Sequence, residues 1–183
     1  MDFLNVDQVL QMIDVEEHMA AAEFGCGVAD FAVALAKKLK NGRIYALDIQ
    51  EEKLSVVRSR LALEKLRNVT TMLRDLEDSK GSTLQDDFLD IVVIPNLLFH
   101  AKNKYGIIEE AVRIIKPGGK ILIVDWLKRS PFNSRNHVIS PDEVKNMAGK
   151  LGLFLEKEFA AGDYHYALLF TKDLLRKGFR NET

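Results

Sequence analysis

The chain has 183 residues, which is enough for one domain with its own hydrophobic core. It is 47% hydrophobic and 29% charged, and its net charge is −1, so bulk nucleic-acid binding is not expected. Cys26 is the one cysteine, which excludes an internal disulfide and a cysteine-based metal cluster, and we expect no metal site.

The start of the sequence has neither the basic segment nor the apolar stretch of a signal peptide, and no apolar run reaches membrane length. We therefore expect a cytoplasmic protein without a membrane segment. Residues 1–172 are expected to form a single domain, and residues 173–183 a charged tail. Residues 3–13 have helical apolar spacing. This helix within residues 1–13 has two interpretations. The favoured one is that it packs on the domain, and the other is that it covers a ligand site as a lid.

Short apolar segments alternate with helical patterns along most of the chain. Strands are predicted at residues 18–24, 43–48, 69–73, 88–94 and 120–126. Helices are predicted at 29–40 and around two buried stripes: Leu54, Val57 and Leu61, and then Ile107, Ile108, Ala111, Val112 and Ile115. This alternation predicts a parallel sheet with helices on both faces. Right-handed crossovers place the first and fourth strands side by side.

The last third of the chain contains clear boundary signals. The segment Lys116-Pro117-Gly118-Gly119 is expected to end the fourth helix before strand 120–126 begins. Ser140-Pro141-Asp142-Glu143 is a capping box that opens another helix. Two further strands, 153–159 and 164–171, are joined by a link so short that only an antiparallel pair is permitted.

A glycine turn, Glu23-Phe24-Gly25-Cys26-Gly27-Val28-Ala29-Asp30, joins the first strand to its helix. Its two glycines allow a sharp bend and the close approach of a ligand, towards which the helix directs its free N–H groups. Asp48 ends the next strand about 20 residues later, a spacing that suits a carboxylate bound to ribose hydroxyls. Asp75 and Asn96–His100 also follow strands, so these segments should meet at one edge of the sheet.

Two cofactors compete for this turn. A dinucleotide usually requires G-x-G-x-x-G, but here the third glycine position is Asp30. Asp30 and Glu23 would repel a pyrophosphate. S-adenosylmethionine has no phosphate and carries a positive sulfonium. The residues therefore favour S-adenosylmethionine, and an NAD-dependent dehydrogenase is the less favoured alternative.

Residues 15–171 resemble a class I S-adenosylmethionine-dependent methyltransferase. EFGCGVAD resembles the first motif of this family, with Ala29 in place of a frequent third glycine, and YALDI, RDLED and IKPGGKILIVDW resemble later motifs. The terminal hairpin resembles the reversed seventh strand of the family. The resemblance implies an α/β fold with a doubly wound, Rossmann-like, mostly parallel sheet of seven strands in the order 3-2-1-4-5-7-6.

The resemblance also implies roles for individual residues. Asp48 would bind the ribose, Asp75 would meet the adenine amino group, and Leu76 would stack on the adenine. The cofactor-binding residues expected from the turn and the motifs together are Glu23, Gly25, Cys26, Gly27, Asp48, Ile49, Asp75, Leu76 and Asn96.

Three segments, FHAKNK, RIIKPGGKI and HVISPDEVKNMAGKLGL, resemble the small-molecule branch of the family, which includes quinone-biosynthesis C-methyltransferases and arsenite methyltransferases. The arsenite enzymes need several cysteines and are rejected. The N-P-P-Y/F signature is replaced by Ile94–Leu98, which argues against adenine-N6 or glutamine methylation. We expect methyl transfer to a small molecule. The alternative is a non-catalytic cofactor-binding protein or a partner-dependent subunit. A homodimer could complete the cleft.

His100 and His137 are the candidate general bases, because histidine titrates near neutral pH and both follow strands that end at the expected site. For each, a half-buried structural histidine is an equally good interpretation. Arg129 and Arg135 could bind an anionic acceptor, although solvated loop charges are the commoner case. His165, between two tyrosines in the last strand, is expected to be structural.

Overall fold

A computed structural model describes residues 4–128 and 138–174. Helices and strands alternate along this part of the chain as the sequence pattern predicts. The elements are α1 Val6–Gln11, β1 Ala20–Phe24, α2 Asp30–Lys38, β2 Arg43–Asp48, α3 Glu51–Leu63, β3 Val69–Leu73, β4 Leu89–Pro95, α4 Lys104–Ile114, β5 Ile115–Trp126, α5 Pro141–Lys150, β6 Leu153–Ala160 and β7 His165–Lys172.

The seven strands form one sheet in the order β3-β2-β1-β4-β5-β7-β6. The β1 and β4 strands are parallel neighbours at its centre, with Ala21 opposite Ile91. The β7 strand runs antiparallel to β5 and β6, with His165 opposite Trp126. The predicted class I order and the reversed hairpin are both confirmed. The carboxyl ends of β1, β2, β4 and β5 and the amino end of β7 therefore share one edge, named here the carboxyl edge.

Alternate side chains of the central strands belong to hydrophobic cores on opposite faces of the sheet. On β5, Ile121 and Ile123 belong to the core beneath α4 and α5, whereas Leu122 and Val124 belong to the core beneath α1 and α2. Because both faces are covered, β4 is a nearly continuous apolar strand, as parallel strands in doubly wound sheets usually are. The two cores hold the carboxyl edge in place.

The β5 strand begins at Ile115, directly after α4, and not after the Pro-Gly-Gly segment as the sequence predicted. Ile115 pairs with Leu89, and the register then shifts so that Lys120 pairs with Ile91. The extra residues form an irregularity in the strand, where Gly118 has a φ of 79°. Proline and glycine therefore mark a bulge within β5, and the prediction of a turn at residues 116–119 is wrong.

The α2 helix is shorter than predicted, because Asp30 is its first residue and Leu39 its C-cap. Ala29 precedes it as N-cap with a left-handed φ of 70°, a conformation that glycine adopts more readily. The alanine that replaces the family's frequent third glycine therefore has the backbone conformation that the glycine would favour.

The α1 helix packs against the rest of the chain. The Asn5 side chain accepts a hydrogen bond from the backbone N–H of Gln8 at 3.1 Å and so caps the helix. Val9 and Leu10 are buried in the same core as Leu35 of α2. The Lys157 ammonium donates to the carbonyl of Met12 at 2.8 Å. These contacts join the N-terminal segment to the sheet.

No helix in residues 4–128 and 138–174 is long and apolar enough to cross a membrane. Within the same residues, no group of three or more histidine, cysteine, aspartate or glutamate side chains could hold a metal ion.

The packing of α1 predicts that Leu10→Ala lowers the free energy of unfolding by about 2–5 kcal/mol, because Leu10 is 1% exposed and leaves a cavity. Met12→Ala is the matched control, since Met12 is 40% exposed and should cost less than about 0.5 kcal/mol. Urea unfolding measures both variants. Equal, small effects would show that α1 does not belong to the cooperative fold.

Candidate active site

The glycine turn between β1 and α2 contains three residues with positive φ. Gly25 has φ 75°, Gly27 has φ 43° and Ala29 has φ 70°. A Cβ atom on Gly25 would lie 3.1 Å from the Leu97 side chain, so this glycine permits close packing against the segment after β4. A Cβ on Gly27 would meet no atom of the described residues within 4 Å. The turn is therefore closed at Gly25 and open at Gly27, where a ligand could approach the backbone.

Glu23 lies beneath this turn and is only 2% exposed. Its Oε2 accepts the backbone N–H of Ala32 at 2.8 Å, which satisfies one of the free donors in the first turn of α2. Burial raises the pKa of Glu23 well above its ordinary value, the Ala32 bond opposes this shift, and the nearby Asp30 and Asp48 carboxyls add to it. Glu23 therefore links the end of β1 to the first turn of α2, and its contact with the cofactor stays a prediction.

Asp30 points away from the turn and towards α3. Its carboxylate accepts a hydrogen bond from the Arg60 guanidinium, which also donates to the carbonyl of Val28. Because Arg60 compensates its charge and half of the side chain is exposed, Asp30 repels a phosphate less than the sequence suggested. Part of the predicted electrostatic argument against a dinucleotide is therefore lost.

Asp48 ends β2 at the carboxyl edge and is 8% exposed. Its Oδ1 accepts the backbone N–H of Gln50 at 2.9 Å, whereas the only donor that Oδ2 has among the described residues is the Cys26 thiol, at 3.9 Å. One carboxylate oxygen thus retains capacity for a stronger donor. Cys26 is 1% exposed, and burial raises the pKa of its thiol, so the thiol is poorly suited to act as a nucleophile.

Asp75 and Leu76 follow β3, and their surroundings differ. Asp75 is half-buried, and its Oδ1 accepts the backbone N–H of Glu77 at 2.9 Å. Leu76 is 6% exposed and belongs to the core beneath α4 and α5, so its side chain offers little surface to an adenine ring. Ile49, 60% exposed beside Asp48, offers the larger apolar surface.

Asn96 follows β4 with a left-handed φ of 48°. Its backbone N–H donates to the carbonyl of Val124 at 2.8 Å. Its Oδ1 is buried and has no hydrogen-bond partner in the part of the chain that the structure describes. Buried side-chain oxygens are usually paired, so this acceptor has capacity for a hydrogen bond from a ligand. The next residue, Leu97, lies close to Gly25 of the glycine turn.

Asp125 is a buried acid that the sequence analysis did not select. It is 0% exposed, and its two oxygens accept the backbone N–H groups of Phe99 at 3.2 Å and Trp126 at 2.8 Å. Burial raises its pKa to about 7, while these bonds and a bond from Leu98 act in the opposite direction. Asp125 thus ties β5 to the segment after β4. The available signal was one acid in the apolar run ILIVDW.

One of the two candidate bases, His100, lies within the described residues. His100 is exposed at the carboxyl edge, its ring centroid lies 3.6 Å from that of Phe99, and partial burial lowers its pKa. His137 lies outside the described residues, as do Arg129 and Arg135. The structure thus brings together Gly25, Gly27, Asp48, Asn96 and His100 at one edge.

The strand order, the reversed hairpin and the glycine turn at the carboxyl edge define the class I methyltransferase fold. A family model described as a methyltransferase domain matches residues 15–159, and the chain belongs to this family. The cofactor of this class is S-adenosylmethionine, as predicted from the turn. The family also argues against the dehydrogenase alternative.

The chain is similar to several curated relatives. It is 26% identical over 160 residues to a demethylmenaquinone methyltransferase of Bacillus mycoides, covering 84% of this chain and 64% of the relative. A demethylmenaquinone methyltransferase of Halalkalibacterium halodurans is 31% identical over 121 residues, covering 63% of this chain and 46% of the relative. The chain therefore spans less than two thirds of the length of these relatives.

Solved structures share the fold at low sequence identity. An S-adenosylmethionine-dependent methyltransferase from Aquifex aeolicus has a TM-score of 0.82 at 22% identity, covering 92% of this chain and 89% of that one. The cyclase SpnF has a TM-score of 0.80 at 12% identity, covering 92% and 80%. Since one of these proteins is described as a methyltransferase and the other as a cyclase, the fold alone does not determine the reaction.

The burial of Asp125 predicts a specific pH dependence of stability. The pKa of Asp125 is about 7 in the folded protein and has its ordinary value of 3.8 in the unfolded chain. The protonated carboxyl therefore makes its full contribution to the free energy of unfolding below pH 3.8, and this contribution is lost as the pH rises to about 7. Asp125→Asn cannot ionise. Relative to this variant, the wild type should lose up to about 1.4 kcal/mol per pH unit between about pH 4 and 7.

Urea unfolding of both proteins at several pH values measures this difference. Identical pH profiles would mean that Asp125 does not titrate with a raised pKa.

Proposed function

We propose that the protein transfers a methyl group from S-adenosylmethionine to a small-molecule acceptor. The observation that carries the proposal is the buried Oδ1 of Asn96, which has no hydrogen-bond partner among the described residues and belongs to the residue before Leu97, whose side chain lies close to Gly25 of the glycine turn. The ammonium group of the cofactor's amino-acid end is a donor of the kind that this oxygen lacks. Membership of the methyltransferase family supports the same reaction.

The remaining residues of the carboxyl edge fit the other parts of the cofactor. Gly27 leaves room for the amino-acid end at the turn. The Oδ2 of Asp48 would accept a ribose hydroxyl, a stronger donor than the thiol it now faces. Asp75 would meet the adenine amino group, and we propose that Ile49, in addition to Leu76, presents an apolar surface to the adenine ring.

Methyl transfer needs little chemistry from the protein. The sulfonium of the bound cofactor supplies an activated methyl group. The residues of this chain would hold the acceptor in line and exclude water, and such positioning can supply roughly 7–11 kcal/mol. A base is needed only if the acceptor must lose a proton. We propose His100 for that task, because it follows β4 at the carboxyl edge and partial burial lowers its pKa, which favours the neutral imidazole that a base requires. His137 remains a second candidate.

The printed names of the relatives indicate the acceptor to test first. These relatives are demethylmenaquinone methyltransferases, so a reduced demethylmenaquinone is the first choice. We also propose a cytoplasmic location and, because the carboxyl edge has no large cap in the described residues, a homodimer that could complete the site. A non-catalytic cofactor-binding protein or partner-dependent subunit is the alternative.

The direct test supplies purified protein with radiolabelled S-adenosylmethionine and detergent-solubilised, reduced demethylmenaquinone. Label in the extracted quinone fraction supports the proposal. A parallel reaction with a deproteinised cell extract tests whether other small molecules accept the methyl group. Cofactor binding by calorimetry without transfer in either reaction would favour the non-catalytic alternative.

Asp48→Ala should weaken S-adenosylmethionine binding by about 1.5–3 kcal/mol, which is the value of a hydrogen bond to a charged group. Titration calorimetry should therefore show roughly a 10-fold to 150-fold loss of affinity. Asp14→Ala is the matched control, because the Asp14 side chain is 91% exposed. Unchanged affinity in Asp48→Ala would contradict the assignment of Asp48 to the ribose.

His100→Ala should lower kcat by about 100-fold or more if the acceptor loses a proton to His100, because general bases supply roughly 10²–10⁴. The assay uses the acceptor identified above at saturating cofactor. His18→Ala is the control, since the His18 side chain is 74% exposed and precedes β1 at the opposite edge. Unchanged turnover in His100→Ala would remove His100 from the mechanism.

A further inference from the structure

His165, which the sequence indicated to be structural, is a buried imidazole. It is 3% exposed, and neither ring nitrogen has a hydrogen-bond partner among residues 4–128 and 138–174. Its ring centroid lies 4.0 Å from that of Trp126, which it faces across the β5–β7 pair. A phenyl ring could stack on Trp126 equally well without the cost of burying two unpaired nitrogens. Packing alone therefore does not account for a histidine here.

The position of His165 connects it to the proposed site. It begins β7, so it lies at the carboxyl edge beside the end of β5. A row of rings runs along this edge: Trp126 is 6.3 Å from Phe99 in an edge-to-face arrangement, and Phe99 contacts His100. Asp125 fixes this row, because it accepts the backbone N–H groups of Phe99 and Trp126. The row thus leads from the candidate base to His165.

We infer that His165 is a specificity-determining residue that hydrogen-bonds an oxygen of the methyl acceptor, while Phe99 and Trp126 contact the acceptor's flat apolar part. The inference rests on the proposed function and extends it to a chemical class: planar aromatic or quinonoid molecules that carry a hydroxyl or carbonyl group. Burial lowers the pKa of His165 to about 4, so its imidazole is neutral at pH 7. One nitrogen then donates and the other accepts, which serves either oxygen group.

The test compares two probes that differ only in an oxygen, 1-naphthol and naphthalene, with protein saturated in S-adenosylhomocysteine. Equilibrium dialysis should show that the wild type binds 1-naphthol about tenfold more tightly, a factor within the range of one neutral hydrogen bond. His165→Phe keeps a ring against Trp126. It should lose this preference by weakening 1-naphthol binding, while naphthalene binding stays unchanged. His18→Phe should behave as the wild type.

A second measurement uses the wild-type protein and does not depend on the folding of a variant. With ¹⁵N-labelled histidine, the ring nitrogens of His165 should shift on addition of 1-naphthol and not on addition of naphthalene. Equal affinity of the wild type for the two probes, an unchanged preference in His165→Phe or an unmoved His165 signal would overturn the inference. Binding of S-adenosylhomocysteine is measured separately by calorimetry, and its absence would instead contradict the proposed function.

Discussion

A buried hydrogen bond between Glu23 and the backbone of Ala32 sets the shape of the candidate site. Glu23 belongs to β1 and Ala32 to α2, so the bond closes the chain around the glycine turn from the inside. The three residues with positive φ lie between these two anchors. Because both anchors are buried, packing within the chain fixes the two ends of the turn.

The pairing of the central strands brings the glycine turn together with polar groups from other parts of the chain. Parallel pairing of β1 with β4 brings the turn next to Asn96 and Leu97, and pairing of β4 with β5 brings Asp125 beneath the same segment. Residues far apart in the sequence thereby meet at the carboxyl edge, as in the close approach of the Leu97 side chain to Gly25. The sheet order, and not any single motif, therefore determines which polar groups can act together.

Most of the fold could be predicted from the sequence, since alternating apolar periods and the short last link determine strand number and direction. Side-chain partners could not. The pairing of Asp30 with Arg60 and the burial of Leu76 depend on contacts between elements, and local spacing carries no signal for them. The bulge in β5 was missed because Pro117 and Gly118 are typical of both turns and bulges. The sequence did not indicate the roles of Asp125 and His165, because these depend on three-dimensional contacts. Asp125 accepts two backbone N–H groups, and the ring nitrogens of His165 have no partner among the described residues.

Trp126 is the only tryptophan in the sequence, and it lies between Phe99 and the imidazole of His165. The chain thus has a single indole, and in the proposed arrangement it lies on the wall of the acceptor site, whereas the four tyrosines are excited at shorter wavelengths. Any molecule that stacks against this wall changes the surroundings of the indole, so tryptophan emission, excited selectively, would report occupancy of this one region. Acceptor libraries can therefore be screened by optical titration without attaching a dye.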